Sequence, residues 1–291
     1  STPASTKACA CSICSAKTRV YSTKTADNDN ASAATANFRS IVLAQIFGFK
    51  TGARPDSVEL NIIYEDKDFL VLNKPAGVVV HPDKNHAEGT LVQEIVKKYP
   101  EVCGVGDAST DSALRPGVVH RLDKDTSGLL AVARNQESFT YLKSLFQEKG
   151  IKKTYLVLVS GVIKNDGGVI DLPIGRSRKD SRRRIAGRGA SGKLREAVTE
   201  YKVVKRFKDF TLLEVKLITG RTHQIRAHFS AISRPVACDI IYGGKKPACP
   251  AGLNRQFLHA WKLEFISPTG AKMSFEADLP DDLERVLEEL R

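Results

Sequence analysis

Hydrophobic and polar positions follow two spacings from residue 58 onward, and these spacings predict strands and helices. FLVLN, Phe69–Asn73, is a short apolar run closed by Lys-Pro-Ala-Gly, which indicates a buried strand. FTLLEVKLI, Phe210–Ile218, carries apolar residues at alternate positions, which indicates a half-buried strand. Comparable runs predict strands at Thr154–Gly161 and Thr199–Phe207.

Four other segments repeat apolar residues at helical spacing. The predicted helices and their inward residues are Thr90–Tyr99 with Leu91, Val92, Ile95 and Val96; Asn135–Lys149 with Phe139, Leu142, Leu145 and Phe146; the segment after Thr222 with Ile225, Phe229 and Ile232; and the segment after Pro280 with Leu283, Val286, Leu287 and Leu290. We expect Pro100 and Gly150 to end the first two helices and Thr222 to cap the third. Strands often follow one another directly, so the order predicts an α+β fold with a mixed or largely antiparallel sheet.

Residues 1–57 differ from the remainder and are predicted to form a leader. The first 26 residues are rich in Ser, Thr and Ala, contain four basic residues and have no acidic residue, as organelle transit segments do. A disordered tail or a segment added for expression would explain the same composition. Residues 58–291 have the pattern of one globular domain.

The composition excludes a disordered or membrane-spanning chain and indicates a polyanionic partner. Apolar residues make up 42% of the 291 positions, and no apolar run reaches the roughly 20 residues that span a bilayer. The net charge of +12 suits nucleic acid. Nine Lys or Arg and one acid lie in Arg176–Arg195, so we predict a mobile, glycine-rich loop that docks on phosphates, with a solvated charged loop as the alternative. The RNA-binding candidates there are Arg176, Arg178, Arg182, Arg183, Arg184 and Arg188.

The six cysteines do not form the pattern of a disulfide framework, which favours a reducing, intracellular setting. Cys103, Cys238 and Cys249 are scattered through the globular part. Three others, in CACSIC near the N-terminus, lack a fourth ligand at zinc-site spacing, so incidental thiols are favoured over a metal site.

Because the familiar nucleotide, nucleophile and metal motifs are absent, the remaining candidates for chemistry are carboxylates and arginines. The chain has no GxxxxGK[ST], GxGxxG or GxSxG, and its paired histidines are five residues apart, so no cofactor or metal is predicted. In HRLDKDTSG, Asp123 precedes an apolar run and is expected to be partly desolvated, which requires a cation partner. Arg221, between a strand and a helix in ITGRTHQIR, is the candidate. A structural Asp–Arg pair remains the alternative to a catalytic one.

Three segments together resemble a known enzyme family. RPGVVHRLDKDTSGLLAVA is similar to the signature around the catalytic aspartate of the RluA/RluD-like pseudouridine synthases, the large-subunit ribosomal RNA type, and that aspartate falls on Asp123. KKTYLVLVSG is similar to the segment with the family's active-site tyrosine, which falls on Tyr155. TGRTHQIRAH is similar to the third motif, whose arginine pairs with the aspartate and falls on Arg221. Smaller matches extend the resemblance over about residues 58–291.

The resemblance implies a pseudouridine synthase fold, with a mixed, mostly antiparallel sheet flanked by helices around a basic cleft. It implies an isomerase that, without a cofactor, breaks the C1′–N1 bond of a uridine in RNA and joins C1′ to C5. Asp123 would be the catalytic carboxylate, Arg221 its partner and Tyr155 the residue that stacks on the base. Arg121 would fill the space left by the extruded nucleotide. Attack of Asp123 on C1′, attack on the base and removal of the 2′ proton all stay open.

The expected partner is RNA, with ribosomal RNA favoured and transfer RNA as the alternative. A non-catalytic RNA-binding or RNA-folding protein and a nucleosidase for free uridine are the rival functions. No membrane partner is predicted, and a monomer is the default. The expected location is the cytoplasm, or the mitochondrion or plastid if the leader is a transit peptide.

Two departures from the family accompany the resemblance. Residues 1–57 are too few and too weakly patterned for the S4-type RNA-binding domain that many relatives carry before the catalytic domain, which leaves residues 58–291 as that domain. Cys238 stands where the family usually has Gly. We expect a small packing change there and no loss of activity.

Overall fold

The structure is a computed structural model that describes residues 58–83, 86–107 and 115–290. The leader and its cysteine cluster lie outside the described residues. The strands are β1 Ile62–Glu65, β2 Phe69–Lys74, β3 Ser127–Ala133, β4 Lys152–Ser160, β5 Gly167–Asp171, β6 Ile174–Arg176, β7 Arg184–Ala186, β8 Ser191–Arg195, β9 Val198–Arg206, β10 Phe210–Leu217, β11 Leu258–Ile266 and β12 Lys272–Glu276. The α-helices are α1 Leu91–Lys98, α2 Gln136–Gln147, α3 Gln224–Ala231 and α4 Asp281–Glu289, with 3-10 turns at Pro100–Val102 and Pro250–Gly252.

In the described part of the chain, nine strands form one sheet in the order β1-β2-β3-β11-β4-β10-β9-β5, and β12 pairs with β11. β3 and β11 run parallel, whereas the other pairs in this sheet are antiparallel. The prediction of an α+β fold with a mixed, mostly antiparallel sheet is therefore confirmed. The sheet brings β3, β11, β4 and β10 together at its middle, although they come from distant parts of the chain.

Helices cover both faces of the sheet because the strands alternate their apolar side chains between two cores. In β2, Leu70 and Leu72 join the core under α1 and α3, while Phe69 and Val71 join the core under α2. A third core lies under α4, around buried Phe257. The inward residues predicted for α1 are all buried, which confirms that helix and its face.

The ends of two helices differ from the predictions. α2 ends at Gln147, and Lys149 rather than Gly150 adopts a left-handed conformation with φ 64°. α3 begins at Gln224, and its N-cap is His223 with φ 55°, not Thr222. Ile232 follows the helix and is 37% exposed, so its predicted inward orientation is wrong. Backbone conformation at a helix end depends on tertiary contacts that side-chain periodicity does not report.

Arg176–Arg195 does not form the predicted open loop. Its residues contribute to the small antiparallel sheet β7-β6-β8, called here the arginine arm (residues 174–195). Buried Ile174 and Ala186 pack the arm against Ala227 of α3 and against Tyr242. Gly187 and Gly189 have positive φ in the connection between β7 and β8, and Gly192 has positive φ within β8, so the glycines that suggested mobility belong to a folded sheet. Within the described residues, no helix is long and apolar enough to cross a membrane.

Candidate active site

A cavity of about 480 Å³ opens at the middle of the sheet, next to the start of α3. This volume lies within the usual range of small-ligand pockets, roughly 300–1,000 Å³. Asp123, Tyr155, Leu258 and the turn before α3 contribute to its wall. The basic residues that line it are Arg121, Lys143, Lys149, Lys153, Arg221 and Arg226. Asp123 is the acidic residue of the lining among the residues that the structure describes, so the cavity is strongly cationic around one carboxylate.

Asp123 occupies a tight turn that leads into β3. The Thr126 amide donates to the Asp123 carbonyl at 3.1 Å, which closes the turn. Lys74, which is fully buried, donates from Nζ to the Lys124 carbonyl at 2.9 Å. The same Nζ donates to the carbonyls of Pro75 and Val78. Arg255, paired with Asp282 of α4, donates to the carbonyl of the residue after Lys124 at 3.2 Å. The turn that carries Asp123 is thus held by two buried basic side chains, Lys74 and Arg255.

Gly128 allows the strand after this turn to lie against β11. Its φ is 112°, and a Cβ built there would lie 2.3 Å from the Ala260 carbonyl oxygen. The parallel pair β3–β11 is in register at this residue, Ala260 opposite Gly128. A side chain at position 128 would push β3 away from β11, so the small residue that ends HRLDKDTSG is required by the close approach.

The arginine that pairs with Asp123 is Arg226, not Arg221 as the sequence predicted. Arg226 lies in α3, is 3% exposed, and donates from its Nη1 to Asp123 Oδ2 at 3.0 Å. The other side of its guanidinium forms a bidentate pair with the fully buried Asp239, at 2.6 and 2.9 Å. Arg221 lies in the turn before α3 and donates from Nε to the Glu196 carbonyl at 2.9 Å, which directs it toward the rim of the cavity.

The surroundings of Asp123 keep its carboxylate ionised. Burial opposes ionisation, but His223, Arg226 and Arg121 favour the charged form, and together they hold the pKa of Asp123 below its usual value. His223 Nε2 lies 3.8 Å from Asp123 Oδ2. The Asp123 side chain keeps 18% of its surface exposed, so the carboxylate is fixed by Arg226 on one side and open to the cavity on the other.

Tyr155 and Arg121, both predicted from the resemblance, line the same cavity as Asp123. Tyr155 is 7% exposed on β4, and burial together with the charge of Asp123 raises the pKa of its hydroxyl, so it stays protonated. Arg121 is exposed at the cavity mouth. The structure therefore brings together Asp123, Tyr155, Arg121 and Arg221 around one opening.

Comparison with known proteins gives the same family as the motifs. The family model for RNA pseudouridylate synthase matches residues 68–231. The chain belongs to this family. It is 44% identical over 237 residues to the uncharacterized RNA pseudouridine synthase YlyB of Bacillus subtilis, which covers 81% of this chain and 74% of that protein. It is 42% identical over 245 residues to the ribosomal large subunit pseudouridine synthase D of Pseudomonas aeruginosa, covering 80% and 72% of the two chains.

A solved structure agrees at the level of the fold. Human RNA pseudouridylate synthase domain containing 1 superposes with a TM-score of 0.61 at 28% identity, over 78% of this chain and 87% of that one. The predictions of a pseudouridine synthase fold and of an RNA pseudouridine synthase, an isomerase, are confirmed by these matches.

Several residues that build the pseudouridine synthase site were not identified from the sequence. Arg226 is in the motif TGRTHQIRAH, beside the inward Ile225, and an arginine on a buried helix face was a usable signal for the partner of Asp123. Asp239 was not identified as a site residue. Lys74 and Arg255 could not be identified from neighbouring residues in the sequence, because each contacts the turn of Asp123 from a distant segment.

Cys238 and Cys249 form a disulfide, which the sequence analysis did not predict. Cys238 directly precedes Asp239 and adopts a left-handed conformation with φ 55°, which explains why glycine suits this position in the family. The link joins the backbone next to the buried carboxylate to the segment before the second 3-10 turn. Eleven residues separate the two cysteines, and spacing alone does not show that a turn brings them together.

Proposed function

We propose that this protein converts a uridine of large-subunit ribosomal RNA to pseudouridine at the cavity that contains Asp123. The main support for this function is the contact of Asp123 with the buried Arg226–Asp239 pair. This contact lies in a cavity whose other charged residues are basic. A protein that only bound RNA would gain nothing from a carboxylate presented to phosphates, since the two charges repel.

Asp123 acts on the ribose or on the base, and Arg226 keeps it charged and aimed. Breaking the C1′–N1 bond leaves an electron-poor ribose carbon or requires loss of the 2′ proton, and an ionised carboxylate serves either course. Because Arg226 is itself fixed by Asp239, the carboxylate has little freedom to turn away from the open side of the cavity. Arg221, at the rim, contributes positive charge toward the RNA.

Tyr155 and Arg121 handle the extruded nucleotide. Tyr155 presents a buried, protonated ring on the wall beside Asp123, where a freed uracil can stack while it turns. Arg121 is long, exposed and next to the opening, so it can occupy the place of the nucleotide in the RNA stack. The unstacking cost of a few kcal/mol is offset by contacts of the RNA backbone with the arginine arm.

Ribosomal RNA is favoured over transfer RNA because several relatives, 38–42% identical to this chain, carry the name ribosomal large subunit pseudouridine synthase D. All of the site residues named above lie within residues 58–291, which supports that range as the catalytic domain. We infer a monomer that acts where ribosomes are made, in the cytoplasm, or in a mitochondrion or plastid if residues 1–57 direct import.

Release of tritium from uracil C5 tests this function. Transcripts of large-subunit ribosomal RNA and transfer RNA, labelled with tritium at C5, are incubated with wild type and with Asp123→Asn. We expect release from ribosomal RNA by wild type and a loss of at least about a thousandfold in Asp123→Asn, since asparagine keeps the shape but not the charge.

The same assay separates the rival functions when RNA binding is measured in parallel. Release from transfer RNA alone would move the target to that RNA. No release from either RNA, with binding intact, would favour the non-catalytic binder. Formation of labelled free uracil from uridine, with no tritium released to water, would indicate the nucleosidase, and an active Asp123→Asn enzyme would show that Asp123 takes no part in the reaction.

A further inference from the structure

Tyr242 lies between the arginine arm and the active site and contacts both. It is 4% exposed, and its own amide donates to Asp239 Oδ1 at 3.0 Å, so its backbone is fixed to the carboxylate that holds Arg226. Its ring packs against two guanidinium groups, with Arg183 of the arm 5.2 Å and Arg226 of the site 5.1 Å from its centroid. Contacts at these distances are favourable cation–π contacts.

The Tyr242 hydroxyl bridges the same two regions by hydrogen bonds. It accepts the backbone N–H of Arg184, at the start of β7, at 2.8 Å. It also lies 3.1 Å from Nδ1 of His223. Because the Arg184 amide can only donate, the phenol proton is free, and Nδ1 of His223 is the acceptor in line for it.

This bridge favours one nitrogen of His223 as the site of the proton, because Nδ1 is an acceptor for the phenol proton of Tyr242. If Nδ1 accepts from Tyr242, a neutral imidazole must carry its proton on Nε2. Nε2 is the nitrogen that faces Asp123 Oδ2, at 3.8 Å. His223 would then present a donor to the catalytic carboxylate from the side opposite to its own hydrogen bond with Tyr242.

The charges around His223 agree with a neutral ring. Burial lowers the pKa of His223 and is the largest influence. Asp123 and Asp239 favour the protonated ring, whereas Arg226 and Arg184 oppose it, and the net direction is downward. His223 is the N-cap of α3 and has a left-handed backbone conformation.

We propose that Tyr242 is a positioning residue that couples the arginine arm to Asp123, by holding His223 as an Nε2–H donor and by packing against Arg226. The proposal rests on the proposed role of Asp123 in the isomerisation. RNA bound to the arm would contact Arg183 and the β7 backbone, and both of these contact Tyr242 directly.

The tautomer of His223 gives a direct test in the wild-type protein. Long-range nitrogen–proton NMR spectra of histidine-labelled protein at pH 7 distinguish a ring protonated on Nε2 from one protonated on Nδ1. His223→Gln identifies the resonance. We expect the Nε2–H tautomer; an Nδ1–H ring or a doubly protonated ring would overturn the proposal without any change to Tyr242.

Tyr242→Phe tests the coupling, because it removes the hydroxyl and keeps the ring. We expect kcat for ribosomal RNA to fall about tenfold, the value of one hydrogen bond of about 1.4 kcal/mol, with KM changed less than twofold and with mixed His223 tautomers. Tyr141→Phe is the matched control: it removes a tyrosine hydroxyl that donates to the Ile266 carbonyl, in a residue that does not line the cavity, so kcat and tautomer should not change.

The outcomes separate this inference from the proposed function. Unchanged kcat and tautomer in Tyr242→Phe, with Asp123→Asn inactive, would refute the coupling and leave the function standing. An active Asp123→Asn enzyme would remove the function itself. A loss confined to KM would assign Tyr242 to RNA binding and refute the positioning role.

Discussion

Arg226 holds two carboxylates at once, and this decides how the site responds to pH. Asp123 and Asp239 contact different nitrogens of the same buried guanidinium. Hydrogen bonds and charge from the two carboxylates outweigh burial and raise the pKa of Arg226, so it is a permanent cation. Removing one member of such a set leaves uncompensated buried charge, which is more costly than the net value of the pair.

Arg226→Gln is expected to reduce activity severely and to shift the acid limb of the pH profile upward. Without the guanidinium, burial raises the pKa of Asp123, so the carboxylate protonates at higher pH. The folded protein should also lose about 3–5 kcal/mol. In wild type the lowered pKa of Asp123 contributes stability above its unfolded pKa of about 3.9, which is lost as pH falls through the folded value. kcat/KM between pH 5 and 8 and urea unfolding measure both effects.

Arg221→Gln provides the comparison, because Arg221 is the partner that the sequence predicted. Its Nε donates to the Glu196 carbonyl, a contact at the rim worth about 1 kcal/mol or less. We expect the acid limb to stay in place and the stability to change little. If the acid limb of the pH profile moved in Arg221→Gln and not in Arg226→Gln, the result would support the Asp123–Arg221 pair that the motif predicted.

At the scale of elements, the turn that carries Asp239 is fixed by its neighbours in sequence and by one covalent link. Asp239 Oδ1 accepts the backbone amides of Ile241 and Tyr242, at 2.9 and 3.0 Å. The disulfide between Cys238 and Cys249 closes the same turn. The hydrogen bonds orient the carboxylate, while the disulfide restricts the unfolded chain.

Cys249→Ser is therefore expected to lower the free energy of unfolding by about 2–3 kcal/mol and to leave isomerase activity largely intact. Thermal unfolding with and without a thiol reductant, together with titration of free thiols, measures the effect. Cys103→Ser is the control, because Cys103 is not in a disulfide. If the wild-type protein unfolded identically in oxidising and reducing conditions, the disulfide would have no role in stability.

At the scale of the whole molecule, positive charge is concentrated on the arginine arm and around the cavity. Arg176, Arg178 and Arg188 have exposed side chains on the arm. Exposed cations that contact phosphates release counterions, so RNA affinity should fall steeply with salt. The arm is built on a small folded sheet, which lets it present these groups without first becoming ordered.

Replacing Arg176, Arg178 and Arg188 with alanine should weaken RNA binding and reduce the slope of log K against log salt by about 0.7–0.9 for each phosphate that is no longer neutralised. Filter binding at salt concentrations from about 50 to 300 mM, which include physiological ionic strength, would measure the affinity and the slope. The control removes the same charge from Lys208, Lys272 and Arg285, which are exposed and do not line the cavity. Equal slopes in the two triple variants would show that the arm does not bind the RNA backbone.

Strands β2, β4, β9 and β10, the four α-helices and the place of Asp123 before an apolar run could be predicted from sequence, because each depends on residues close together in the chain. Apolar runs such as Phe69–Asn73 identify their own burial, and the α1 face was correct for the same reason. The motif around Asp123 extends without interruption into β3, so the local pattern and the candidate catalytic residue are identified together.

Only the tertiary structure decided which groups surround that aspartate. Arg221 and Arg226 are five residues apart, and the direction of α3 determines which one reaches Asp123, more than 100 residues away. The disulfide and the folded arm include residues with positive φ, such as Cys238 and Gly187, which hydrophobic spacing does not identify. Hydrophobic spacing specifies where the chain is buried, whereas long polar side chains find their partners only when distant segments are already packed together.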